Sequence, residues 1–196
     1  MDEIVKQALV KWPDVPHCTG WLLLDRRGNW RMRDEAAQAA GASGTPIRHP
    51  ALIGFICRNY ECDERGQWFF QNGPQRVYVE LAYTPWIVRL ATGDASGTLA
   101  LTDHTGSVFE PAAVFIDDEG GIVFADTSNP ARVAALHDHD LDLFADASTL
   151  SADGMGGRFH WRAGTDLPLL AVRRQDVAGR FGFVASPVAA RSDHAA

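Results

Sequence analysis

The sequence predicts an α+β fold of mainly antiparallel β-hairpins in two structurally related halves, each with one packed helix, plus a short N-terminal helix. Three observations predict it. Short β-prone runs alternate with Asp-, Asn- and Gly-containing turns. Helical periodicity is confined to a few short stretches. And one order of elements (hairpin, proline-started helix, aromatic strand, glycine turn, strand) occurs twice.

The 196 residues are 46% hydrophobic and 22% charged, ordinary for a globular chain. No apolar run reaches the roughly eighteen residues of a membrane span, so no membrane partner is expected. Met1-Asp2-Glu3-Ile4-Val5-Lys6 lacks the basic start and apolar core of a signal peptide. A net charge of −7 argues against a nucleic-acid partner, whose phosphates call for Lys/Arg excess. Three cysteines, Cys18, Cys57 and Cys62, make no disulfide framework, which fits a reducing cytoplasm.

Residues 1–19 read as an N-terminal helix and lead-in. Asp2 can cap it; Ile4, Val5, Ala8, Leu9 and Trp12 form one apolar stripe, and Pro13 and Pro16 stop it. The first half spans 20–90. Trp21-Leu22-Leu23-Leu24, the turn Asp25-Arg26-Arg27-Gly28, and Trp30 and Met32 in alternation make a hairpin. Residues 34–48 read as an exposed loop. His49-Pro50 then opens a helix with Leu52, Phe55, Ile56 and Tyr60 on its buried stripe. Asp63-Glu64-Arg65-Gly66 precedes the strand at Trp68-Phe69-Phe70, and Asn72-Gly73 turns the chain into Val77–Leu81. Trp86–Leu90 is one more strand. The connection 91–103 carries a short strand at Thr98–Leu101.

The second half, 104–187, restarts the pattern. Val114–Asp126 lies on Leu22–Asp34 without a gap, with Asp117, Gly120 and Asp126 matching Asp25, Gly28 and Asp34. Asn129-Pro130-Ala131 opens a helix as His49-Pro50-Ala51 does, Asn129 being its cap. Arg158–Gly164 lies on Gln67–Gly73, and Leu169–Val172 on Tyr78–Leu81. Residues 188–196, small and polar, are expected to fray.

Catalytic patterns do not assemble from the sequence alone. His137-Asp138-His139-Asp140-Leu141-Asp142 has metal-ligating residue types, and a small metal-dependent hydrolase using it is the alternative reading. The spacing does not bring the ligands to one helix face, so a solvated helix face is the preferred reading. Cys57 and Cys62 lack zinc-knuckle spacing. Gly93-Asp94-Ala95-Ser96-Gly97 is not a nucleophile elbow, and Gly154-Met155-Gly156-Gly157 has no phosphate-loop spacing. Without nucleophile, base and orienting group, the expectation is a non-enzymatic binding or regulatory module with no cofactor.

The most informative segment is Trp68–Glu80. On a strand, Trp68 and Phe70 face one side and Phe69 the other, so both faces are apolar. Asn72, Gln75 and Arg76 supply amides and a guanidinium at its turn, able to grip a carboxylate or a carbonyl. Trp21, Trp30 and Trp68 are candidates for an apolar wall. The expected ligand is a protein segment or a small anionic metabolite.

Ile4-Val5-Lys6-Gln7-Ala8, Trp12-Pro13-x-Val15-Pro16, Gly20-Trp21-Leu22 and above all Trp68 to Leu81 resemble an uncharacterised family of proteobacterial proteins. The resemblance covers most of residues 2–90 and the strand near Arg180-Phe181-Gly182-Phe183-Val184. More distantly, the hairpin-helix-hairpin order resembles a second domain-of-unknown-function family, built of two related β-rich halves and associated with signalling. Neither resemblance implies catalytic residues.

Overall fold

A computed structural model describes residues 1–93, 98–128, 131–152, 154 and 156–187. Fifteen strands and five α-helices lie among them. The chain divides into two units, one from residues 1–25, 29–83 and the stretch from 182, the other from 26–28 and 84–181. No helix among the described residues is long and apolar enough to cross a membrane.

The first unit opens with α1 (Glu3–Lys11). Asp2 stands at its cap, yet the carboxylate makes no capping bond and pairs with Arg58 at 3.2 Å instead. Of the expected apolar stripe only Val5 is buried; Ile4 and Trp12 are exposed. The sheet follows: β1 (Cys18–Leu24), β2 (Trp30–Met32), β3 (Thr45–Pro46), β4 (Tyr60–Cys62), β5 (Trp68–Asn72) and β6 (Gln75–Leu81), in spatial order β3-β2-β1-β6-β5-β4. The stretch expected as loop holds α2 (Glu35–Ala39), capped by the Asp34 carboxylate on the Ala37 N–H at 2.8 Å. Sequence reading missed it because five residues give too little periodicity to see. Between β3 and β4 runs α3 (Pro50–Arg58), with proline in its first turn and the His49 ring accepting from the Leu52 N–H. Ile56, Trp30, Tyr60 and Phe70 are buried in this unit; Trp30 meets Tyr60 edge-on at 5.1 Å and Phe55 meets Phe70 at 5.4 Å.

The second unit contains β7 (Trp86–Thr92), β8 (Leu99–Asp103), β9 (Val108–Phe109), β10 (Ala113–Asp117), β11 (Ile122–Ala125), β12 (Val133–Leu136), α4 (Leu141–Asp146), β13 (Ser148–Leu150), β14 (Gly157–Arg162), β15 (Thr165–Val172) and α5 (Val177–Phe181). Its sheet runs β13-β14-β15-β10-β11-β12-β7-β8-β9. Phe124, Phe144, Phe159 and Trp161 centre its core, with Phe144 stacked on Phe159 at 4.9 Å.

Six strands of the second sheet repeat the first sheet's order and sense. β1 pairs antiparallel with β2 and parallel with β6, as β10 does with β11 and β15. Leu22 faces Met32 and Val79; Val114 faces Phe124 and Leu169. The first sequence match is therefore in register. The later ones shift: Leu169 takes the place of Val79, one residue from the sequence alignment, and Phe159 that of Phe70, two residues from it. Aromatic residues at neighbouring positions allowed that slip, since apolar type alone does not fix register.

The helix expected from Asn129-Pro130 is corrected. Residues 129 and 130 lie outside the described residues, but Val133–Leu136 is a strand, all four residues buried between β11 and β7. A fully buried strand reads as a continuous apolar run, which periodicity cannot tell from a helix. The helix at this place in the order is α4, after a 3-10 turn at Asp138–Asp140. The strand expected at 98–101 is β8, Leu99–Asp103.

Four hairpins share one turn, Asp-x-x-Gly-x, beginning at Asp25, Asp63, Asp103 and Asp117. In each, the aspartate N–H donates to the carbonyl four residues on, and its carboxylate accepts the N–H of that residue at 2.7–3.1 Å. The side chain closes a loop the backbone alone closes on one side only.

Candidate functional site

The hairpin of β4 and β5 in the first unit turns on Asp63. Its carboxylate accepts from the N–H groups of Arg65 and Gln67, each at 2.9 Å, and from the Tyr78 hydroxyl at 3.1 Å on β6. This fixes the three strands laterally at one end. Their pleat then sorts the aromatic run. Trp68 and Phe70 go to the side of α3 and Tyr60, while Phe69 goes to the other face. Across from Phe69 stand Glu61 on β4 and Tyr78 on β6.

That second face carries a concavity of about 1040 Å³, lined by His17, Glu61, Phe69, Arg76, Tyr78 and Val184 together with the Cys62–Arg65 turn and Gln67. The Arg76 guanidinium lies 4.5 Å over the Phe69 ring. Among the described residues no carboxylate comes within ion-pair distance of it. His17 meets Tyr78 edge-on at 5.7 Å. On the β4 side Glu61 lies 3.7 Å from the Met1 ammonium. The Cys62 thiol donates to the Asp63 carbonyl at 3.4 Å; burial, then the Asp63 charge, push its pKa up to about 11. It is therefore a poor nucleophile at neutral pH.

Of the six residues proposed from sequence, Arg76 lines this groove. Gln75 stands next to it and donates to the Pro16 carbonyl at 3.0 Å, anchoring the lead-in that brings His17 to the wall. Asn72 is exposed at the end of β5. Trp68 packs against Tyr60, ring centroids 4.7 Å apart and tilted by 37°. Trp30 is 2% exposed and its indole N–H donates to the Cys57 sulfur at 3.4 Å, so it is a core residue. Trp21 is 39% exposed on β1. His17, Glu61, Phe69 and Tyr78 escaped sequence reading as site residues. The period of two placed Phe69 opposite Trp68, but strand register was needed to add Glu61 and Tyr78.

The His137–Asp142 cluster belongs to a different arrangement. The Asp138 carboxylate holds Arg27 at 2.6–3.1 Å, which lowers its pKa. Asp140 receives two bonds from Arg89 and one from the Leu90 N–H. The His137 Nδ1 accepts from the His139 N–H at 3.1 Å, and burial followed by the Arg89 charge lowers its pKa. Both acids are thus engaged by arginines. Among the described residues no three His, Cys, Asp or Glu side chains gather as a metal would need.

A family model described as "Protein of unknown function (DUF2946)" matches residues 1–188. No curated protein matches the chain. Among solved structures, a DUF1285 family protein from Silicibacter pomeroyi DSS-3 is similar, at 17% identity and a TM-score of 0.51 over 88% of this chain and 97% of that one. A DUF1285 family protein from Shewanella baltica OS155 is similar at 13% identity and a TM-score of 0.40, over 65% of this chain and 91% of that one. At such identity the first of these likenesses speaks for the fold alone.

Proposed function

This chain belongs to the family described as "Protein of unknown function (DUF2946)", and we propose that it is a binding module whose groove beside β4, β5 and β6 takes a ligand presenting a single carboxylate, either a small metabolite or a peptide segment. One observation carries the reading: Arg76 stands in the concavity, over the Phe69 ring at 4.5 Å, with no acidic partner among the described residues. A guanidinium set over a ring face has N–H groups left to donate, and its fork matches a carboxylate in two-point geometry. Glu61, Asp63 and Glu64 line the same groove. Their charge disfavours polyphosphates and other polyanions, so one carboxylate is the chemistry that fits. The shared strand order of the two sheets supports an internal duplication.

The test is a thermal-shift screen of wild type and Arg76→Ala against small mono- and dicarboxylates and short peptides with free C-termini. Stabilisation of wild type that is lost in Arg76→Ala supports the reading. Equal shifts in both proteins, or none in either, reject it.

A further inference from the structure

Three residues on three successive strands form one hydrogen-bonded row on the second sheet. β13, β14 and β15 make the outer end of that sheet, with β13 at its edge. The pleat turns Phe159 and Trp161 into the core and leaves Arg158, His160 and Arg162 on the exposed face. There the His160 Nδ1 lies 2.9 Å from the carboxylate of Asp166, its direct cross-strand partner on β15. Its Nε2 lies 2.9 Å from the hydroxyl of Thr149 on β13. Arg158 stands directly opposite Thr149 in register, so its side chain starts on the same face. No carboxylate among the described residues pairs with Arg158.

We propose that this row is a nucleophilic acyl-transfer site for activated esters and thioesters, separate from the groove of the first unit. Asp166 is a positioning residue: it accepts a hydrogen bond from the Nδ1–H of His160, which keeps the proton there and leaves Nε2 as an acceptor. Nε2 then takes the Thr149 proton as the hydroxyl oxygen bonds to the acyl carbon. The bond from that carbon to the leaving oxygen or sulfur breaks, and the leaving group departs with the proton held on His160. Water, deprotonated by the same nitrogen, next attacks the threonine ester. The carboxylic acid leaves and the hydroxyl is restored. Arg158 offers positive charge beside the tetrahedral oxyanion.

By register, Thr149 and Asp166 occupy the places that Glu61 and Arg76 hold in the first sheet. The same outer face thus carries polar groups in both units, with different chemistry.

The experiment uses p-nitrophenyl acetate as the probe, following nitrophenolate release and mapping the acetyl group by peptide mass spectrometry. Wild type should carry the acetyl group on Thr149. Thr149→Ala and His160→Gln should lose release by about a hundredfold or more, and Asp166→Asn by about tenfold, at unchanged melting temperature. Thr149→Ser, which keeps a hydroxyl, should retain acylation at position 149. Acetylation confined to lysines or the N-terminus, or unchanged release in Thr149→Ala, overturns the proposal. So does a fall in release that merely tracks a lowered melting temperature, which marks the row as a structural link between strands.

Discussion

The carboxylate of Asp140 accepts two hydrogen bonds from the guanidinium of Arg89, at 2.6 and 2.8 Å. Burial alone would raise its pKa, but the Arg89 bonds and the Leu90 N–H outweigh this, and the net direction is down. A folded pKa below the unfolded one stabilises the protein fully above the ordinary aspartate value, and that contribution is lost as pH falls through the folded value. Asp140→Ala should therefore cost about 2–3 kcal/mol in urea unfolding at neutral pH. The gap between variant and wild type should narrow in strong acid, where wild type also loses the ionised group.

Gly66 and Gly120 occupy the same place in two Asp-x-x-Gly-x turns, with φ of +76° and +81°. A Cβ at Gly120 would meet open space, whereas one at Gly66 would collide with the Gly182 carbonyl. Gly120→Ala should cost about 1 kcal/mol, the ordinary penalty of a left-handed alanine. Gly66→Ala should cost clearly more, because backbone must move as well. Paired denaturation curves would show the difference, and equal losses would contradict it.

Cys62 is exposed by residue, yet its thiol pKa is raised to about 11. Iodoacetamide labelling should be slow at neutral pH and keep accelerating well past the range where an ordinary thiol has levelled off. Asp63→Asn removes the adjacent charge and should bring the rise to lower pH. Site-resolved mass spectrometry measures both. A plateau near the usual thiol pKa in wild type would contradict the assignment.

The hairpins were legible where local chemistry decides them. Asp25 with Gly28 and Asp117 with Gly120 announce turns, and the flanking apolar residues alternate as strands do. His49-Pro50 announces α3 in the same way. Where burial overrides periodicity the sequence misleads: Val133-Ala134-Ala135-Leu136 is apolar throughout, and only its neighbours β11 and β7 make it a strand. For the groove, Arg76 was visible as a guanidinium at a turn. Its setting was not, because Glu61, Phe69 and Tyr78 come together only through the register of three strands. The tryptophans were drawn to the site by residue type, while the core claims Trp30 for its volume.

The most direct test is an amide NMR titration of wild type and Arg76→Ala with small monocarboxylates. Wild type should show saturable shifts clustered on residues 61–69 and 76–78. Arg76→Ala should weaken the binding by about 1.5–3 kcal/mol, as expected for a charge-assisted contact, with its spectrum otherwise preserved. Shifts that fall elsewhere in the chain, or an affinity unchanged by the substitution, would contradict the assignment of the groove.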